Sequence, residues 1–232
     1  MTRTVVFARE QLRASFTLAL LVAIPALFVV SAARVLSDFA SALGGSLAGD
    51  AAVALSAGWA AAFVSGALGF FQAASSRGAD RRLALAGLGP ARVAASRIAA
   101  SVLLAVVAAA AAFAALVLRV EVAHPWHAAV AVIAFALLYL AIGVLVGAVI
   151  AAPLEGSLLV VFVFLLDAFG GPGMSGGSAP PWAISQKAAD ILIAAGMGAG
   201  SPTGDWVKLA LVTVGALAAS FCVFVASARS RA

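Results

Sequence analysis

Between Ala128 and Ile150 the chain runs for 23 residues without one charged side chain. A stretch of that length matches the roughly 30 Å hydrocarbon core of a bilayer when it is helical, because a helix rises about 1.5 Å per residue. Five further apolar stretches of similar kind occur, and the six together are expected to cross a membrane at about 14–33, 51–74, 98–118, 128–150, 154–170 and 206–228. The first contains Pro25, and the fifth is short and contains Asp167. Residues of the AVILMFWYC set make up 65% of the 232, and DEKR only 10%. A water-soluble domain is nearer half apolar and a quarter charged, so this chain has too little polar surface to face water all round. The expected fold class is therefore all-α, a polytopic membrane protein forming a single domain over 1–232.

The net charge is +5. The cations fall in short clusters between apolar runs, which fits the flanks of membrane spans and not a nucleic-acid surface. Arg3, Arg9, Arg13, Arg77, Arg81, Arg82, Arg92, Arg97, Arg229 and Arg231 fall on one side of the six-span layout, ten against four for Arg34, Arg119, Lys187 and Lys208. An arginine or lysine at the centre of a span costs about 2.5–3.5 kcal/mol on insertion scales, and cytoplasmic loops carry the excess. Both termini are thus expected in the cytoplasm. A rival for the N-terminus is a cleavable signal peptide, with an apolar core at 16–30 followed by Ser31-Ala32-Ala33.

Two connections are more than turns, and the N-terminal segment is more than a plain leader to the first span. Segment 2–13 mixes charged and apolar residues and is expected to lie as a helix along the interface, with a solvated tail as the alternative. In 75–97, Asp80 can cap a short helix, Gly87 or Gly89 can end it, and Pro90 can open the next at its first position. In 171–205, Gly, Ser and Pro give way to Pro180-Pro181-Trp182 and a weakly amphipathic stretch reaching about Met197. A helical or re-entrant element leaning on the outer leaflet is expected there. Trp182 and Trp206 suit the interface, where the indole has an apolar body and a polar N–H.

Chemistry is sparse. No GxxxxGK[ST] motif occurs, so no phosphate-binding loop of that kind is present. Gly173-Met174-Ser175-Gly176 matches a GxSG pattern, but no histidine follows Ser175 to activate it. His124 and His127 are three apart at a membrane edge, without the further ligands a metal would need. The single Cys222 is expected to be a packed small hydrophobe. No catalytic or metal-ligating residue emerges. Gly143 and Gly147, followed by Ala151, place small residues on one face of the fourth span and permit close packing against a helix of this chain or of a second copy. Glu155, after Pro153, suits a helix first turn, where it offsets the macrodipole. Asp167 falls about 18 Å beyond Glu155, past the midplane. It either lines a translocation path or its outer gate, or meets outer water because Gly170-Gly171-Pro172 ends its helix early.

Taken in order, these pieces resemble the permease subunit of an ATP-binding-cassette transporter of the ABC-2 exporter type. The resemblance rests on five features. ARE-QLRAS precedes a first span with a proline, FTLALLVAIPALFVV. SSRGADRRLALAGLGPARVAASRIAASVLLA supplies a basic turn and short helix after the second span. The third and fourth spans form a hairpin, AAPLEGSLL is a short connection, and a Gly/Pro-rich segment with PPW precedes the last span.

The resemblance implies a permease half without catalysis or cofactor of its own. ATP and Mg would sit on a partner ATPase on the cytoplasmic side. A second permease subunit, identical or related, and membrane lipid would complete its partners, with no nucleic acid. It also implies that the short helix after the second span couples to the ATPase, through Arg77, Asp80, Arg81, Arg82, Leu83, Gly87, Gly89, Pro90 and Arg92. The chain departs from many relatives in having Asp80 as the lone acidic residue of that turn and Ser96-Arg97 where a Gly-Lys is common. An apolar, charge-poor cavity fits a lipophilic or amphipathic cargo such as a drug, antibiotic or lipid, moved by alternating access across the cytoplasmic membrane of a bacterium or archaeon. A secondary carrier or channel, or a non-transporting assembly protein, are the alternatives.

Overall fold

Alanine-rich apolar runs have high helical propensity, and in lipid only a helix satisfies its backbone within one segment. The structure, a computed structural model, describes residues 15–75, 89–150, 152–174, 183–198 and 203–229, and every element among them is a helix. In chain order these are α1 (Ser15–Ala42), α2 (Gly49–Ser75), α3 (Pro90–Val117), α4 (Pro125–Val149), α5 (Pro153–Phe169), α6 (Gln186–Met197) and α7 (Thr203–Arg229). Pro90, Pro125 and Pro153 open α3, α4 and α5, where the missing N–H costs nothing. α6 ends on Gly198, whose φ of 73° is the left-handed turn a glycine adopts without strain.

Five helices are long and apolar enough to cross a membrane, namely α1, α2, α3, α4 and α7. This is the makeup of a multi-pass membrane protein. α5 has 17 residues and spans about 25 Å.

Helix positions agree with the hydropathy pattern, and two bounds move. α1 continues nine residues past the expected end at 33, and α3 begins eight residues before 98, so its first turns from Pro90 lead into the apolar run without a break. The expected interfacial helix at 2–13 and the short helix around 80–89 lie outside the described residues, save Gly89.

α2 and α4 form the centre. Within their apolar windows 67% of α2 and 61% of α4 is buried, against 22% of α1 and 28% of α7. They run in the same direction. Gly58 faces Phe135, Gly66 faces Tyr139 and Gly143, and Ala73 faces Gly147. A Cβ on Gly143 would run into the Gly66 carbonyl and come within 2.8 Å of the Phe70 nitrogen, and one on Gly147 would lie 2.7 Å from the Phe70 oxygen. The small-residue face of α4 therefore packs within the chain, on α2.

α1 and α3 pack on α2, α7 packs on α4, and α5 lies on α2 with a narrower contact to α4. Exposed Leu27, Leu158, Phe162, Leu211 and Val214 give the periphery an apolar surface suited to lipid. Cys222 belongs to that periphery, contrary to the packed position expected for it, because its face of α7 turns away from α4.

The two ends of the bundle differ. At one, the backbone N–H groups of Ser46 and Leu47 donate to the Gly173 carbonyl, and that of His124 donates to Ala195. We call this the Gly173 end. At the other, the Pro90 end, the Ser101 hydroxyl lies between the amide oxygen of buried Gln72 and the Arg97 carbonyl. The Gln72 amide nitrogen also reaches the Arg97 carbonyl, at 3.5 Å. These bonds clasp α2 to α3 where they approach the 76–88 segment.

Candidate functional site

Tyr139 is the only tyrosine of the chain and lies inside the most apolar helix. It is fourteen residues after Pro125 and ten before Val149, about 21 and 15 Å along the axis, hence near the middle of α4. A buried phenol needs a partner for its hydroxyl. It finds Asp167 near the end of α5, donating to Oδ2 at 2.6 Å. The second carboxylate oxygen, Oδ1, accepts the backbone N–H of Ser185 at 3.3 Å. Ser185 is the residue ahead of α6. One carboxylate thus ties α4, α5 and the start of α6.

The site is closed. Asp167 is 2% exposed and Tyr139 1%. The Phe164 ring stands edge-on to Tyr139 at 5.8 Å and to Phe63 at 5.4 Å. Trp59 of α2 is also buried, and its ring passes 3.2 Å from where a Cβ of Gly171 would sit, one turn beyond Asp167. Its indole N–H has no hydrogen-bond partner among the described residues. Asp167 is held by two neutral donors, and the described ion pairs do not include it. α5 does end at Phe169 as the Gly-Gly-Pro sequence implies, yet Asp167 turns inward and does not meet water there.

α6 occupies the Gly173 end. Ala188, Ala189, Ile191, Leu192 and Ala195 are buried, against α2 and α4. A helical or re-entrant element leaning on the outer leaflet is expected here; the segment is helical, and it fits into the bundle where Gly58 and Ala54 leave room for Leu192 and Gly196. Beside it Lys187 pairs with Asp190 and with Asp205 of α7, both at 3.1 Å. Hydrogen bonds to those two carboxylates hold the lysine above its ordinary pKa. The His127 ring packs at a tilt against Trp206 at 5.1 Å and against His124 at 5.4 Å. No group of three metal-ligating side chains occurs among the described residues.

Of the residues singled out in the 77–92 region, Arg77, Asp80, Arg81, Arg82, Leu83 and Gly87 lie outside the described residues, as do Ser175 and Trp182. Gly89 has a φ of 74°, Pro90 opens α3, and Arg92 is exposed in its first turn. Gly143 and Gly147 lie at the α2–α4 contact, and Glu155 stands in the first turn of α5 as expected. Tyr139, Ser185 and Trp59 were not singled out. For Tyr139 a signal existed, a lone phenol in an apolar span. For Ser185, which contributes a backbone N–H, there was none. Compared with known protein families, curated proteins and solved structures, the chain matches none.

Proposed function

We propose that this chain is the transmembrane subunit of an ATP-driven exporter of the ABC-2 type. The observation that carries this is the order of elements. A basic connection follows α2 at one end of the bundle, and a buried half-helix, α6, sits between α5 and the last span at the other. The excess of basic residues supports a cytoplasmic Pro90 end and cytoplasmic termini, in the membrane of a bacterial or archaeal cell on this reading. In this reading α5, at about 25 Å, makes the sixth crossing.

In this reading the 76–92 segment receives the stroke of a separate ATPase, and the α2–α3 clasp at Gln72 and Ser101 passes it to the helices. Two permease subunits pair, and the bundle alternates between inward-open and outward-open states. Asp167 belongs to the translocation path or its outer gate. The cargo is lipophilic or amphipathic, because the spans offer few charges to recognise anything else.

The test is co-purification of the chain with an ATPase encoded in the same genome, together with Arg81→Glu/Arg82→Glu. The expected result is a complex whose ATPase activity rises on assembly and a doubly reversed variant that no longer associates. Association unaffected by the reversal would remove the coupling assignment. A second reading has one observation of its own: Asp167 and Tyr139 form a buried acid–phenol pair between α4 and α5, of the kind a proton-driven carrier would need. Transport abolished by a protonophore but not by ATP depletion would select it.

A further inference from the structure

We infer that Asp167, braced by Tyr139, is a latch that seats the half-helix α6 in the Gly173 end of the bundle, and that α5 is the lever that releases it. Calling the opening beneath α6 a gate rests on the transport reading above. The latch does not.

With 12 residues, α6 is about 18 Å long and cannot cross a bilayer. What seats it is mostly small: Ala188, Ala189 and Ala195, with Ile191 and Leu192 the larger side chains. Lipid tails are as apolar as these residues, so burying them against α2 and α4 gains little over leaving them in lipid. The polar ties then decide the position of α6. His124 N–H to the Ala195 carbonyl holds its last turn, and Lys187 to Asp205 ties its first turn to α7. At the start is the bond from Ser185 N–H to Asp167. Ser185 makes no side-chain cap bond, and a negative group just ahead of a helix is favoured by the unpaired N–H groups there.

The latch is mounted on a lightly embedded helix. Only Gly156, Val160, Phe164, Asp167 and Ala168 of α5 are buried, a single stripe at three- and four-residue spacing. Fourteen residues, about 21 Å, separate Pro153 at the Pro90 end from Asp167. A displacement of α5 as a rigid rod therefore pulls Asp167 from Tyr139 and Ser185 together. The buried Trp59 N–H beside this point lacks a partner among the described residues, and water entering on release would supply one.

The experiment needs neither ATPase nor cargo. The full chain, with Cys222→Ala, carries Ala188→Cys as a reporter under α6, or Ala189→Cys if the first does not assemble. It is reconstituted in liposomes in both orientations and treated with a water-soluble maleimide. Ala136→Cys at the buried centre of α4 is the control. The reporter is expected to react slowly with Asp167 present and about tenfold faster with Asp167→Ala, the change about 1.4 kcal/mol produces in an opening equilibrium. Asp167→Asn, whose amide oxygen can still accept from Ser185, is expected to react at close to the original rate, and Tyr139→Phe in between. The control stays unreactive throughout. An unchanged reporter with Asp167→Ala overturns the latch, and so does a reactive control, which would make Asp167 a support of the whole bundle. A latch that passes while the ATPase fails to associate leaves this inference standing without the transport reading.

Discussion

The Tyr139 hydroxyl donates to the Asp167 carboxylate across the α4–α5 contact at 2.6 Å, with both side chains buried near the middle of α4. Among membrane helices a polar bond is coupled by about 0.6 kcal/mol on average and about 1.7 at most. This one spans two helices that otherwise touch narrowly. Tyr139→Phe strips a donor from a buried carboxylate and is expected to cost about 1–3 kcal/mol. A double-mutant cycle with Asp167→Ala, followed by unfolding in SDS, should give a coupling within the membrane range. Additive losses would mean that the two residues act separately.

The α2–α4 seam depends on the absence of a Cβ. At Gly143 an added Cβ meets main-chain atoms of Gly66 and Phe70, which cannot rotate away. Gly143→Ala must therefore push the central helices apart, and a loss of about 1–3 kcal/mol is expected from overpacking. Gly215→Ala on α7 opens onto free space, and its helix gains about 0.5–1 kcal/mol in propensity. Opposite signs in the same unfolding assay are the expected outcome. Equal effects would place the seam elsewhere.

Much of this architecture was legible because lipid imposes one rule on every span, and Pro90, Pro125 and Pro153 mark helix starts. The extension of α1 was missed because Arg34 and Asp38 resemble a loop, although Ala33, Leu36 and Ala40 keep a helical spacing inward. Asp167 stood out by cost of burial alone. Its partner did not, since which residues meet depends on how α4 and α5 are rotated, and hydropathy along one helix carries no record of the other. The docking of α6 was likewise hidden, because alanines that pack on glycines look the same as alanines that face lipid.

At the Pro90 end the clasp makes an unequal prediction. Gln72→Leu removes the whole amide yet leaves Ser101 its bond to the Arg97 carbonyl at 3.0 Å. Ser101→Ala removes one oxygen but strands the buried amide oxygen of Gln72. An unsatisfied buried acceptor costs about 1–3 kcal/mol, more than a lost bond whose partners remain satisfied. The smaller change should be the more destabilising in a side-by-side unfolding series. The reverse order would show that Gln72 contributes through packing.

Lys187 joins α6 to α7 through Asp190 and Asp205, and those bonds raise its folded pKa above the ordinary 10.5. A group whose pKa rises on folding stabilises fully while it is charged in both states, below about pH 10.5, and that contribution disappears as pH climbs through the higher folded value. The side chain is 33% exposed, so solvent screens the pair and the effect is small. Melting of the chain and of Lys187→Met in the same detergent at pH 8 and pH 11.5 isolates it, since other titrations cancel in the difference. The variant should melt lower at pH 8, and the gap should be smaller at pH 11.5. A gap undiminished at the higher pH would assign the role of Lys187 to its aliphatic stem against α6 and α7, and not to its charge.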